Sequence, residues 1–537
     1  MDEMVMITDL GVCGGIFFDD NLFFYDDRFY DDNYNISWTR NIAVEFQSEL
    51  LPNASHNTVS SDLTANPPYF FLLQKWLQFC DSNHFECHRQ REKEKFWPTR
   101  VIFVGNLNKL TLVEEPLQGE DYLALSHCWG ILTEKEKNRF CTTRKNHQDR
   151  LQGFSYDELP KTFQHAIQVT RALQKQYLWI DALCIIQGND GDWGTQAKTM
   201  ADIFACAYCT IAASSARGWG DGFLSPQTDP PDIGALITPS TLTCKCDFNK
   251  DVDEGALMER AWVLQERVLS RRIIHFTAAH TYCECGDGVL CEQLTKLSPP
   301  RGKQFFILDP TFPSRLTKSG STRTADFVQF LFKKYSASHL TFGTDRDVAI
   351  DSLVERVAQV LETEVRYGIF DRFRGSLLLW KRSQEDKTPR ISYGDRTVPS
   401  WSWMAYSGGI DFLSDIKQNL VVPSSVDLGF ADDGKALDVK VRRFGENCRV
   451  EQQAEGHVIV NGTEEVGCIW FDVADRIEFK HCVAVGMDKY DKKEDPRKIY
   501  YILVVWKKED GVEYERLGVG KVEAQYVSRD GDAGRLW

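Results

Sequence analysis

The run from Tyr177 to Ile186 constrains the fold most, because a nearly unbroken apolar stretch needs cover on both of its faces. It reads as a strand buried in a covered parallel sheet, interrupted by Asp181. Upstream, the segment Tyr122 to Gly130 is a second apolar strand, ending in Ser126, His127 and Trp129 before a glycine. Between the two, Phe163, Ala166, Ile167, Thr170 and Leu173 recur at helical spacing behind Pro160, predicting a helix over 161–173. Strand, helix, strand is a right-handed βαβ unit whose ligand crevice lies at the carboxyl ends of its strands. The alternation continues through a helical Trp193 to Tyr208 and a strand over 209–213, so the expected class is α/β.

Asp181 is the leading functional candidate, since a carboxylate inside an apolar strand is costly unless paired. Its structural alternative is an ion pair with Arg260 or Arg267. In Arg260 to Phe276, Trp262, Gln265 or Glu266, and Leu269 fall near one helical face before a strand, and Glu266 and Arg267 read either as site groups or as braces. His127 and Cys128 point to opposite faces of a strand and cannot form a catalytic dyad. His127 is a site-edge or core histidine, Ser126 a local cap or ligand contact, and Trp129 and Trp193 stacking platforms or core.

Two groups of cysteines lie close enough in sequence to be candidate metal ligands. Cys80, His84 and Cys87 have His88 as the nearest fourth candidate, and packing is the favoured reading. Cys244, Cys246, Cys283, Cys285 and Cys291 have spacings unlike a zinc knuckle and read as buried thiols or hairpin residues, so no metal site is expected. The 16 cysteines lack the density of a disulfide framework, which suits a reducing compartment. A net charge of -15 disfavours nucleic acid and anionic membrane as partners. No basic start precedes an apolar run and no stretch approaches the roughly 20 apolar residues of a membrane span, so a cytoplasmic, alternatively nuclear, soluble chain is expected.

Residues 1–69 lack a sustained period and are expected to form a poorly ordered leader. Helical spacing starts at Phe70, and short β-type runs at Val101 to Val104 and Leu110 to Val113 suit a hairpin. Pro299 to Gly302 reads as a boundary, 301–395 as linker and scaffold helices, and 396–537 as a largely β region.

Three segments, Tyr122 to Gly130, Leu159 to Ala213 and Arg260 to Phe276, together resemble the ordered blocks of the fungal heterokaryon-incompatibility (HET) domain. Trp76 to Cys80 with His84 and Cys87 resembles the family's lead-in, and Val398 to Trp403 its later Pro-Ser-Trp-Ser-Trp element. Residues 70–300 are thus identified as a HET domain with a lead-in helix. The resemblance implies a regulatory protein of self/non-self recognition and programmed cell death, acting through protein partners or self-association and requiring no cofactor. It also implies a distant relation to TIR domains, hence a flavodoxin-like core with a mainly parallel sheet. Because some TIR domains hydrolyse NAD, NAD is an implied substrate. Asp181 and Glu266 would then be the catalytic carboxylates, and Ser126, His127, Trp129, Trp193, Gln196 and Arg267 the nucleotide contacts. Gln196 stands where family members carry Glu or Gln; an amide can bond a ribose hydroxyl but cannot act as a base.

Overall fold

The computed structural model describes residues 17–19, 22–24, 67–84, 87, 96–107, 109–114, 119–224, 246–286, 288–293, 295–297, 316–317, 320–383, 390–394, 396–413, 420–421, 428–453, 456–473, 479–488, 498–509 and 512–537. The chain divides into two units, Met1–Phe312 and Pro313–Trp537. Most of the expected leader, the boundary at Pro299 to Gly302, and Cys244 lie outside the described residues.

The first unit is built on a nine-stranded sheet. Its strands are β1 (Arg100–Phe103), β2 (Thr111–Glu114), β3 (Tyr122–Ser126), β4 (Tyr177–Trp179), β5 (Cys209–Ala212), β6 (Arg272–Phe276), β7 (Thr281–Cys285), β8 (Gly288–Cys291) and β9 (Thr295–Leu297). They lie in the order β9-β8-β7-β6-β5-β3-β4-β1-β2. Four helices matter for the site: α1 (Pro67–Asn83), α2 (Lys161–Ala172), α3 (Met200–Cys206) and α4 (Ala261–Leu269). Helix α2 forms as its spacing predicts, with Pro160 just ahead of it and Phe163, Ala166, Ile167 and Thr170 buried. Trp76, Trp179 and Tyr122 are among the largest fully buried side chains of the core. Truncating a ring such as that of Trp179 to alanine costs about 3–5 kcal/mol.

The sheet is not mainly parallel. Parallel pairing is confined to β4, β3, β5 and β6 at its centre. Antiparallel strands flank that centre, β1 and β2 on one side and β7, β8 and β9 on the other. The reason is connection length: β6 to β9 follow one another through short turns, which can join only antiparallel neighbours, whereas parallel pairing needs a long crossover. The predicted hairpin of β1 and β2 is present, with Val101 opposite Val113.

A second correction concerns the run from Tyr177 to Ile186. Only Tyr177–Trp179 is strand, and Asp181–Cys184 is a helical turn. Asp181 starts that turn, its Oδ1 accepting from the Ala182 N–H at 2.6 Å. Hydrophobicity sets burial here, while the Asp181 carboxylate in the first turn accepts from one of the backbone N–H groups that a helix start leaves free.

The second unit is mainly β. Leu437–Arg443, His481–Asp488, Ile499–Lys507, Glu513–Glu523 and Asp532–Leu536 pair in a ring that closes on itself. Closure leaves these strands without a free edge. Helices Ser321–Ala337 and Val348–Val360 belong to the same unit. The Pro-Ser-Trp-Ser-Trp element is buried there, Trp401 Nε1 donating to the Lys435 carbonyl at 3.1 Å. Among the described residues, no helix is long and apolar enough to cross a membrane.

Candidate functional site

The chain leaves β3 first towards β4 and then returns to the other side at β5, so the parallel strands have their topological switch point between β3 and β5. Crevices outside the carboxyl ends of strands at such a point collect ligands. Ser126 ends β3, Ala212 ends β5, and Asp181 follows β4 by two residues. Five of the expected site residues meet at this edge.

Ser126 Oγ donates to Glu266 Oε2 at 2.5 Å, tying β3 to α4. Trp129 Nε1 donates to Asp181 Oδ2 at 2.7 Å. His127 Nε2 lies 3.8 Å from Asp181 Oδ1 and has no hydrogen-bond partner among the described residues. Arg260, which the sequence offered as an ion-pair partner for Asp181, instead donates to the His127 carbonyl. The Asp181 side chain keeps 22% of its surface exposed, whereas Glu266 and His127 are buried. Gly130 sits at φ +73°, and a Cβ there would stand 3.1 Å from Gly218 Cα, so glycine lets this strand end pack against the 217–218 backbone.

Burial sets the protonation of both enclosed groups. The Glu266 carboxyl is pushed up to about 7, chiefly because burial disfavours its charge; Arg260 and the Ser126 hydroxyl pull it down, and Asp181 adds to the rise. The His127 imidazole is held down at about 4, first by burial and further by Arg260, with Asp181 opposing. At neutral pH the edge therefore holds a neutral imidazole and a carboxyl close to half-titrated. Behind Glu266 lies a narrow cavity lined by Ser126, Thr210, Ser214, Glu266 and His275 among others, with about 10 Å³ of free space. That is room for about one water molecule. Two buried atoms of its wall, Ser214 Oγ and His275 Nδ1, have no hydrogen-bond partner among the described residues. Neither residue stands out in the sequence, although His275 falls within the third block; the pairing of β5 with β6 brings them together.

Residues 122–266 match the model of the family described as heterokaryon incompatibility protein (HET). This chain carries a HET domain. The match opens four residues before Ser126 and closes on its partner Glu266, so the HET segment contains both ends of that hydrogen bond. No curated protein and no solved structure matches the chain.

The other expected contacts of the HET domain are placed apart from this cluster. Arg267 is 2% exposed and fork-bonded to Glu284 at 3.1 Å through Nε and Nη2, with Asp253 on its Nη1. Its charge is spent inside the protein, joining α4 to β7. Gln196 is buried, its Nε2 donating to Thr99 Oγ1 at 3.2 Å. Trp193 packs edge-on against Trp262 with ring centres 6.1 Å apart. Trp129 meets Trp219 at 5.2 Å while its indole N–H holds Asp181, so it is packing residue and positioning residue at once. Cys246 is bonded to Cys291, departing from the free thiols expected of both. The other twelve described cysteines form no disulfide.

Proposed function

We propose that this HET-domain chain is a regulatory protein of fungal self/non-self recognition and programmed cell death, working through a protein partner or self-association and not through turnover. The observation that carries this reading is the match of residues 122–266 to the heterokaryon-incompatibility family model; the cavity beside Glu266, about 10 Å³, has room for about one water molecule. Arg267 and Gln196, two of the six expected nucleotide contacts, are committed to Glu284, Asp253 and Thr99. A second reading, TIR-like cleavage of NAD, draws on a different observation. Glu266, at about 7, is tuned for proton transfer near neutrality and stands within electrostatic reach of the partly exposed Asp181.

One assay separates the two. Full-length protein at high concentration is incubated with NAD, nicotinamide release is followed, and self-association is measured in parallel by light scattering. The regulatory reading expects no release from wild type or from Gln196→Glu, and assembly that grows with concentration or on adding a partner. Release from wild type that is lost in folded Asp181→Ala or Glu266→Gln protein would replace it with the enzymatic reading.

A further inference from the structure

The sequence offers Cys80, His84 and Cys87 without a convincing fourth ligand nearby, and the fold supplies one from about two hundred residues away. Cys80 lies in the last turn of α1, and the His84 N–H donates to the Cys80 carbonyl at 3.0 Å. Helical spacing thus continues through His84, placing both side chains on one face. Cys87 follows three residues later, and β7 ends on Cys285. One ligand atom from each of Cys80, His84, Cys87 and Cys285 lies within 4.8 Å of every other. His84 Nδ1 is 3.4 Å from Cys285 Sγ. The three thiols are buried together as a small cluster of their own.

A tetrahedral zinc ion with sulfur at about 2.3 Å and nitrogen at about 2.0–2.1 Å places its ligand atoms roughly 3.5–3.8 Å apart, which is the scale of this cluster. We propose that Cys80, His84, Cys87 and Cys285 bind one zinc ion in a closed structural site. On binding, each thiol releases its proton to solvent and the imidazole coordinates in its neutral form. Three thiolates against a divalent ion leave one net negative charge. Arg272 lies beside Cys80 and shares its positive charge between this cluster and Asp81, to which it is bonded at 2.7 Å. Four protein ligands leave no open position for chemistry. Location agrees: Cys285 pairs with Arg272, the first residue of β6, so the cluster occupies the edge of the sheet opposite Ser126 and Asp181. Such an ion clamps α1 to β7 and closes the chain between Cys87 and Cys285. The lead-in helix then belongs to the same folding unit as the HET segment that starts at Tyr122.

Full-length protein purified under reducing conditions without chelator should contain one zinc ion per chain by elemental analysis. Exchange for cobalt should produce the visible absorption of a tetrahedral thiolate complex. Cys285→Ser and His84→Ala should lose the ion, while Cys448→Ser, in the second unit, should keep it. Should the ligand variants fail to fold, the cobalt spectrum and the alkylation pattern of the wild type decide. Protection of Cys80, Cys87 and Cys285 that is lifted by a chelator supports the site. A metal content far below one per chain would overturn it, as would recovery of two of these cysteines as a disulfide in non-reduced peptides.

Discussion

Glu266 and Ser126 are 140 positions apart in the chain and share a short hydrogen bond, so the protonation of one carboxyl reports whether the strand end and α4 are docked. In the unfolded chain this carboxyl titrates near 4.5, and in the fold at about 7. Between those values the folded state holds the extra proton. The stability associated with the neutral carboxyl is therefore complete below about 4.5 and is lost as pH rises through about 7. His127 works in the opposite sense: with its folded value at about 4 against 6.5, its contribution is present above 6.5 and lost as pH falls through about 4. The two slopes oppose each other in the overlap, so the wild type alone hides both. Glu266→Gln removes one of them. Its stability relative to wild type should rise by on the order of 3 kcal/mol between about pH 4 and about pH 8, read from urea unfolding at several pH values. An offset that is the same at every pH would show that Glu266 is not held neutral by burial.

At the scale of elements, α4 is locked to the sheet by charge as well as by packing. Arg267 faces Glu284 on β7 and Asp253 ahead of the helix, and Glu284 also accepts from His275 on β6 at 2.9 Å. Glu284 is fully buried, and Arg267 and His275 hold its carboxylate below the usual range against the pull of burial. Removing one partner strands an opposite charge in the interior. Arg267→Met should therefore destabilise by about 3–5 kcal/mol, whereas Arg267→Met with Glu284→Met should lose much less than the sum of the two single changes. A double-mutant cycle that proves additive would contradict the pairing. The same residues explain why the sequence leaves Arg267 open between brace and site group: its partners lie 14 and 17 positions away on other elements, beyond any periodic pattern.

At the scale of the whole molecule, the second unit has its own core and its own organising charge. Arg516 is buried, bonded to Asp472 at 2.8 Å and to the Leu378 carbonyl at 2.8 Å, and it stacks 3.5 Å over the Trp380 ring. The ring of strands around Ile502, Val504 and Leu517 closes without help from the HET segment. Residues 313–537 produced alone should give a β-dominated circular dichroism spectrum and one cooperative thermal transition, with slow refolding because the ring is closed by distant pairings. A molten profile without a transition would show that this unit needs the rest of the chain.

Local pattern was enough for the α/β class, helix α2, the β1–β2 hairpin, the β-rich carboxyl-terminal region and the shared strand edge of Ser126, His127, Trp129 and Asp181. Each depends on spacing within one segment or on the handedness of one crossover, and that physics is short-ranged. Only the tertiary structure decided that antiparallel strands flank the parallel centre, that Asp181 opens a helical turn, that Arg267 is neutralised by Glu284 and Asp253, and that Cys285 completes the group of Cys80, His84 and Cys87. These outcomes turn on which distant segments become neighbours, and neighbours set the desolvation and charge that decide whether a side chain braces the fold or remains available for chemistry.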